Sequence, residues 1–406
     1  MSYRLQVEPS ICKIRRMITR DAKQTALRLA LGFPILAITG PRQSGKTTLA
    51  RSVFPDRAYV SLEDPDQREQ AQADPRGFLA RFPDGTVIDE VQCVPDLISY
   101  LQGLVDSRGR MGDFILTGSQ QFGLMSHIGQ SLAGRVGRIE LLPFAMSELT
   151  AADLLPRDLD TLLWRGAYPP LYDRPLSPAD WFPNYISTYL ERDVRQLLAV
   201  RDLGLFQRFV RLCAARTGQP LNLSALANDC GVSHTTAREW LSVLEASYLI
   251  LVLPPYHRNF GKRLVKTPKL YFLDTGLAAA LLGIADRAAL NIHPQRGALF
   301  ETLAVGEFVK QRYNAGRLAG LYFWRDNTGN EVDLLFETGT SLRPVEIKSG
   351  ATFVVDWLRG LKKWASIAGD QTLPGWLVYG GDDRYGRDGV EVFPWRSLGQ
   401  VASAAQ

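Results

Sequence analysis

Gly40-Pro41-Arg42-Gln43-Ser44-Gly45-Lys46-Thr47-Thr48 sets two glycines, a lysine and a hydroxyl in the spacing Gly-x-x-x-x-Gly-Lys-Thr. Glycines let backbone N–H groups curl around a row of phosphates, and a helix that starts just after the lysine turns its positive dipole end toward the same anion. Lys46 adds a point charge for the β- and γ-phosphates, and the Thr47 hydroxyl suits Mg²⁺. The stretch Gly40–Thr48 is therefore expected to hold a nucleoside triphosphate, ATP with magnesium. Its setting agrees, because the apolar run Ile35–Thr39 comes just before it and a helix over Thr47–Phe54 is expected just after.

Such a loop needs acidic partners, and Thr86-Val-Ile-Asp89-Glu90 ends an apolar strand in two carboxylates. Asp89 is expected to hold magnesium through water, and Glu90 to orient or deprotonate an attacking water. Phe114-Ile-Leu-Thr117-Gly-Ser119 ends a further strand in hydroxyls. Thr117 and Ser119 either sense the γ-phosphate or simply cap the turn, as Ser and Thr often do. Gly134-Arg135-Val-Gly-Arg138 offers two arginines. Arg135 is the first candidate for a cation supplied to a neighbouring copy's γ-phosphate and Arg138 the second, against the plainer reading of a surface ion pair.

Short apolar runs alternate with helical periods from about residue 34 to 142, the pattern of a parallel α/β sheet. Strands are expected at Ile35–Thr39, Ala58–Leu62, Thr86–Ile88, Phe114–Thr117 and Arg138–Leu142. The stretch 149–200 reads as proline-punctuated helices rich in aromatics, among them Trp164, Tyr168, Tyr172, Trp181, Tyr185 and Tyr189. From Leu221 to Leu244 the residues read as helix, glycine turn at Gly231 and helix, followed by a short strand pair, the layout of a winged helix-turn-helix. Ser233 would cap the second helix, and His234, Thr235, Arg238 and Glu239 would form an exposed, mildly basic face that either contacts DNA or packs beside an ATPase. The expected division is 1–148, 149–200, 201–258 and 259–406.

Gly-Pro-Arg-Gln-Ser-Gly-Lys-Thr-Thr-Leu, Ile-Asp-Glu-Val-Gln, Leu-Thr-Gly-Ser, Ser-Leu-Ala-Gly-Arg-Val and Leu-Leu-Pro-Phe follow one another in this chain. Trp164-Arg-Gly-Ala-Tyr-Pro and Tyr189-Leu-Glu-Arg-Asp193-Val-Arg195 come after them. In these motifs the chain resembles prokaryotic AAA-type ATPases that carry a C-terminal domain of unknown function, number 4143, over nearly its whole length. The resemblance implies P-loop ATPase chemistry and makes a homo-oligomer plausible, because AAA-type relatives often work as rings.

Toward the C-terminus, Glu301, Asp333 in Glu331-Val-Asp333 and Glu346-Ile-Lys348 together resemble the restriction-endonuclease-like, or PD-(D/E)XK, core. There Glu301, Asp333 and Glu346 would hold magnesium and Lys348 would orient water, since alternate residues of a strand share a face. The competing reading is a nuclease-derived fold kept as a binding or structural domain. The expected fold class is thus α/β: a P-loop AAA-type ATPase domain with a helical lid, a winged helix-turn-helix module and a restriction-endonuclease-like domain.

Hydrophobic residues at 46% and charged residues at 22% exclude a largely disordered chain. No apolar run approaches the roughly 20 residues of a membrane span, and the first residues lack a secretory pattern, so a cytoplasmic protein is expected. The cysteines Cys12, Cys93, Cys213 and Cys230 stand far apart, which suggests reduced thiols. A formal charge of +5 is compatible with a polyanionic partner such as DNA. Arg258, Lys262, Arg263, Lys266 and Lys269, with no acidic residue between them, either hold phosphates or form a solvated linker.

Overall fold

The computed structural model describes residues 17–119, 132–190, 202–256 and 266–405. Five apolar runs form a parallel sheet: β1 (Ile35–Thr39), β2 (Ala58–Ser61), β3 (Thr86–Asp89), β4 (Phe114–Gly118) and β5 (Val136–Glu140). Their order is β2-β3-β4-β1-β5. All residues of β1, β3 and β4 are buried, as strands covered on both faces require. Alternation sends Ile35, Ala37, Ile88 and Leu116 into a core with the helix Leu97–Arg108. Leu36, Ile38, Val87 and Ile115 enter the opposite core with the helices Ala22–Gly32 and Lys46–Val53. Because β4 lies between β1 and β3, the loop after β1, the end of β4 and the acidic end of β3 lie side by side at one edge of the sheet.

Short helices follow, Met146–Ala151, Leu159–Arg165, Pro170–Asp173 and Pro178–Tyr185. Asp158 caps the second by accepting from Thr161 N, and Ser177 caps the fourth by accepting from Asp180 N. Tyr168, Trp181 and Tyr185 pack ring on ring, with centroids 4.7 to 5.0 Å apart. The motif Tyr189–Arg195 lies outside the described residues apart from the backbone of its first two members. Helices Leu203–Ala215, Leu223–Cys230 and His234–Ala246 come next. The turn between the last two needs Gly231 at φ 83°, and Ser233 caps the third by accepting from Thr236 N. His234, Thr235, Arg238 and Glu239 face solvent.

The strands β6 (Gln219–Pro220), β7 (Ile250–Leu253) and β8 (Lys269–Phe272) pair antiparallel in the order β6-β8-β7. This sheet runs across residue 258, where a division was expected. In the basic stretch, Arg258, Lys262 and Arg263 lie outside the described residues. Lys269 does not belong to a solvated linker, because β8 buries it to 3% exposure.

The C-terminal sheet contains β9 (Leu321–Arg325), β10 (Glu331–Thr338), β11 (Ser341–Lys348), β12 (Trp376–Tyr379), β13 (Tyr385–Arg387) and β14 (Val390–Pro394). Its order is β13-β14-β12-β11-β10-β9. One face packs on the helix Arg296–Asn314 through Leu334, Phe336, Val345 and Ile347. The other packs on Arg359–Ala368 through Val332, Leu335, Leu342 and Leu377. No helix of the described residues is long and apolar enough to cross a membrane. Cys93, Cys213 and Cys230 are free thiols, and Cys12 lies outside the described residues.

Candidate nucleotide site and a second acidic corner

The loop after β1 takes backbone shapes that its sequence permits. Gly40 has φ 151°, and a Cβ there would come within 2.1 Å of the Leu141 carbonyl oxygen. Gly45, at φ 92°, opens the helix Lys46–Val53. Lys46 is buried and donates to the Pro41 carbonyl at 2.9 Å, so its ammonium is folded back into its own loop. Burial holds its pKa down to about 8 against the pull of Glu90 and Asp89. Thr47 Oγ1 donates to Asp89, with Oδ1 at 3.0 Å and Oδ2 at 2.9 Å. Tyr59 OH donates to Asp89 Oδ2 at 2.8 Å, and Thr117 Oγ1 donates to Asp89 Oδ1.

Glu90 stands next to this group in left-handed backbone, φ 53°, where β3 ends. Ser119 Oγ donates to Glu90 Oε2 at 3.2 Å, and Gln92 Nε2 reaches both the same carboxylate and Ser119 Oγ. The edge of the sheet therefore gathers hard oxygen donors, Thr47 and Asp89, beside a half-buried carboxylate. That donor set fits Mg²⁺, and the glycine-shaped loop with a buried lysine fits phosphate. Arg42 reaches Glu63 at 3.4 Å on the surface. Arg135 lies elsewhere: its Nε is 2.6 Å from Asp106 Oδ1 and its Nη2 is 2.9 Å from Oδ2, an exposed forked ion pair within the chain. Arg138 pairs with Glu140 at 3.4 Å.

Three supports of the loop carry no motif. Arg20, 7% exposed, donates to the Ser44 carbonyl and to the Leu142 carbonyl, each at 2.7 Å, and to Glu148 Oε1 at 2.9 Å. Glu148 in turn accepts from Asp21 N and Ala145 N, both at 2.8 Å. At the end of β1, Thr39 Oγ1 and Tyr248 OH lie 2.7 Å apart, and Tyr248 OH also donates to Glu140 Oε1 at 3.3 Å. Tyr248 follows the helix His234–Ala246, so a residue of the middle module touches the strand that carries the loop.

The second constellation forms where β10 and β11 pair. Lys348 Nζ reaches Asp333 Oδ2 at 3.3 Å and also Glu346 Oε1, while Ile347 N donates to Asp333 Oδ2 at 2.8 Å. Asp333 and Glu346 thus face one ammonium. The β10–β9 register shifts between Val332 and Leu335, a bulge that re-aims the Asp333 backbone. Glu301 enters from the helix Arg296–Asn314, and its carboxylate lies within 4.8 Å of those of Glu331 and Asp333. Oxygen donors this close suit a hard divalent cation. Glu346 Oε2 is buried with no hydrogen-bond partner among the described residues. Burial and Asp333 push the Glu346 carboxyl well above the usual carboxylate range.

Lys269 and Tyr271 of β8 complete the corner. Lys269 Nζ lies 2.8 Å from Glu301 Oε1 and pairs with Glu331 Oε1, and Tyr271 OH donates to Glu301 Oε1 at 2.5 Å. Burial pulls the Lys269 ammonium down, but Glu301, Asp333 and Glu331 more than offset it and hold its pKa above the ordinary value. Sequence reasoning did not place Lys269, Tyr271 or Glu331 in this corner. For Glu331 the signal was available, because Glu331-Val-Asp333 alternates like Glu346-Ile-Lys348.

A five-stranded parallel sheet with a P-loop after its first strand, and an acidic strand one place removed, defines an ATP-binding domain of the AAA type. Residues 32–150 match the family described as AAA domain. Residues 156–288 match a domain of unknown function (DUF8612), and residues 296–398 match a domain of unknown function (DUF4143). An uncharacterized protein of Mycobacterium tuberculosis is 35% identical over 338 residues, 82% of this chain and 74% of that one. One from Mycobacterium bovis matches to the same extent. The chain belongs to this family of AAA-type P-loop proteins with a C-terminal DUF4143 domain.

Among solved structures, the Walker-type ATPase of Pyrococcus abyssi is similar at TM-score 0.40 and 14% identity, over 65% of this chain and 96% of that one. The RuvB Holliday junction branch migration motor of Thermotoga maritima is similar at TM-score 0.30 and 20% identity, over 58% and 90%.

Proposed function

We propose that the chain hydrolyses ATP and couples turnover to DNA, as a homo-oligomer in the cytoplasm. The observation that carries this reading is the meeting of Lys46, Thr47, Asp89, Glu90 and Thr117 at one edge of the parallel sheet. In it, the backbone of Gly40, Pro41, Arg42, Gln43, Ser44 and Gly45 wraps the phosphates, with Lys46 as their cation and Thr48 continuing the helix start. Thr47 and Asp89 hold magnesium, which neutralises phosphate charge when bound. Glu90 takes a proton from the attacking water, while Thr117 and Ser119 hold the two carboxylates in place. Arg135 serves a neighbouring copy only after exchanging Asp106 for a phosphate.

The helices Leu223–Cys230 and His234–Ala246 with their sheet support a winged helix-turn-helix reading, whose outward face is His234, Thr235, Arg238 and Glu239. The corner of Glu301, Asp333, Glu346 and Lys348 supports a PD-(D/E)XK-like, magnesium-dependent hydrolytic site, with Lys348 orienting water. A second reading, a nucleotide-gated scaffold with a silent corner, draws on the ion pairs that Lys269 and Lys348 already make there.

ATP turnover measured with and without DNA separates the two, since only the first expects stimulation. Nuclease assays on the same fractions then address the corner. Asp333→Ala should remove Mg²⁺-dependent cleavage and leave ATP turnover intact. Cleavage that survives in Asp333→Ala comes from another site.

A further inference from the structure

The corner contains a cation that the nuclease-like pattern does not call for. Lys269 comes from β8, a strand of the middle sheet, and reaches across to the C-terminal module. Its ammonium lies 2.8 Å from Glu301 and pairs with Glu331. Those are two of the three carboxylates whose oxygens lie within 4.8 Å of one another. Tyr271, two residues on and on the same side of the strand, donates to Glu301 as well.

Charge gives the placement its meaning. Glu301, Glu331, Asp333 and Glu346 face Lys269, Lys348 and Arg325, which pairs with Glu331 at 3.5 Å, so four carboxyl groups gather around three cations. Exchanging the Lys269 ammonium for a divalent ion would keep Glu301 and Glu331 paired with a cation, held by the same carboxylate oxygens. Glu346 Oε2, buried and without a hydrogen-bond partner among the described residues, leaves one acceptor of the neighbouring Asp333–Lys348–Glu346 group open.

We propose that Lys269 is the resident cation of this corner, and that its ammonium and a divalent metal ion compete for Glu301 and Glu331. The site then takes metal only when β8 withdraws Lys269, so the middle module controls whether the C-terminal site is loaded. The inference rests on reading the corner as a metal-dependent site.

The test uses Mn²⁺ and the full chain without nucleotide. Lys269→Met should lower the thermal midpoint, and Mn²⁺ should restore much of the loss. Calorimetry should show Mn²⁺ binding at least tenfold tighter than to the wild type, with the gain abolished by adding Glu331→Gln. Lys269→Gln, which keeps a hydrogen-bond donor near Glu301, should show the same gain if the methionine variant folds poorly. In the wild type, saturating Mn²⁺ should raise acetylation of Lys269 by an acid anhydride, read by mass spectrometry, because a displaced ammonium becomes accessible. Equal Mn²⁺ affinity in a folded variant and wild type, or acetylation of Lys269 unchanged by bound Mn²⁺, overturns the proposal. No readout depends on cleavage, so exchange without cleavage would defeat only the nuclease reading, and cleavage without exchange only the role of Lys269.

Discussion

Two lysines illustrate how differently this chain builds its two charged sites. Lys46 is buried in the phosphate loop, donates to a carbonyl and makes no ion pair among the described residues. Lys269 is equally buried but is clamped between two carboxylates. The first site keeps a cation in hand for an anion that arrives. The second has its charges answered largely from within, so that anything entering must displace a group already there. Burying a charge is costly in both, but only the second offsets the cost with direct ion pairs among the described residues.

The sharpest way to break this contrast is one substitution made twice. Lys46→Met should weaken ATP binding by more than about 100-fold, since a desolvated charge contact is lost, and should not lower stability to urea. Lys269→Met, measured without metal, should lower stability by about 3–5 kcal/mol, because Glu301 and Glu331 lose a buried partner. Equal stability losses in the two variants would end the distinction.

Glu90→Gln comes next: ATP binding is retained while turnover falls by about 100-fold or more, in keeping with loss of a general base. Wild-type turnover in that variant would remove Glu90 from the chemistry. The lysines also part company with pH. Lys46 has a pKa of about 8, lowered from its ordinary value, so its charged form dominates below pH 8 and is lost above it. ATP affinity should accordingly fall by about five- to sixfold between pH 8 and pH 9. A flat affinity profile over that range in calorimetry would mean that the ammonium is held charged. The smallest effect is expected from Tyr248→Phe, which removes the hydroxyl shared by Thr39 and Glu140. It should cost about 1 kcal/mol in urea melts, and a value near zero would make the P-loop strand independent of the middle module.

The grouping of the candidate phosphate site was legible in the sequence because its parts are contiguous or end neighbouring strands. Gly40–Thr48 is one segment, and Asp89, Glu90, Thr117 and Ser119 each end an apolar run whose strand character can be read locally. Strand ends moved by only a residue or two: the run expected at Arg138–Leu142 forms as Val136–Glu140. Asp333, Glu346 and Lys348 were legible by alternation. Arg20, Glu148, Lys269 and Tyr271 were not, because each is a single residue without a motif whose partner lies far along the chain. Arg20 and Glu148 are 128 positions apart and Lys269 and Glu301 are 32. Only the packing of helices and sheets brings them together. Lys269 also sits in a run of basic residues that looks like a solvated linker until β8 pairs with β7.

The helix Arg296–Asn314 has a consequence for how the chain can be divided. Glu307 accepts from Met146 N at 2.8 Å, and Lys310 donates to the Phe144 carbonyl at 2.9 Å. Tyr313 is hydrogen-bonded to Glu140, while Glu301 on the same helix meets Lys269 and Tyr271. The helix stands more than a hundred residues beyond the AAA segment, yet it satisfies polar groups at that segment's end. Severing the chain near residue 150 would leave backbone groups and the apolar surface of Leu142, Phe144 and Met146 without cover. The boundaries that family matches draw on the sequence are therefore not seams of folding. An excised AAA segment should precipitate or melt early, whereas the whole chain should unfold as one cooperative body, because its longest helix is a keel shared by every module.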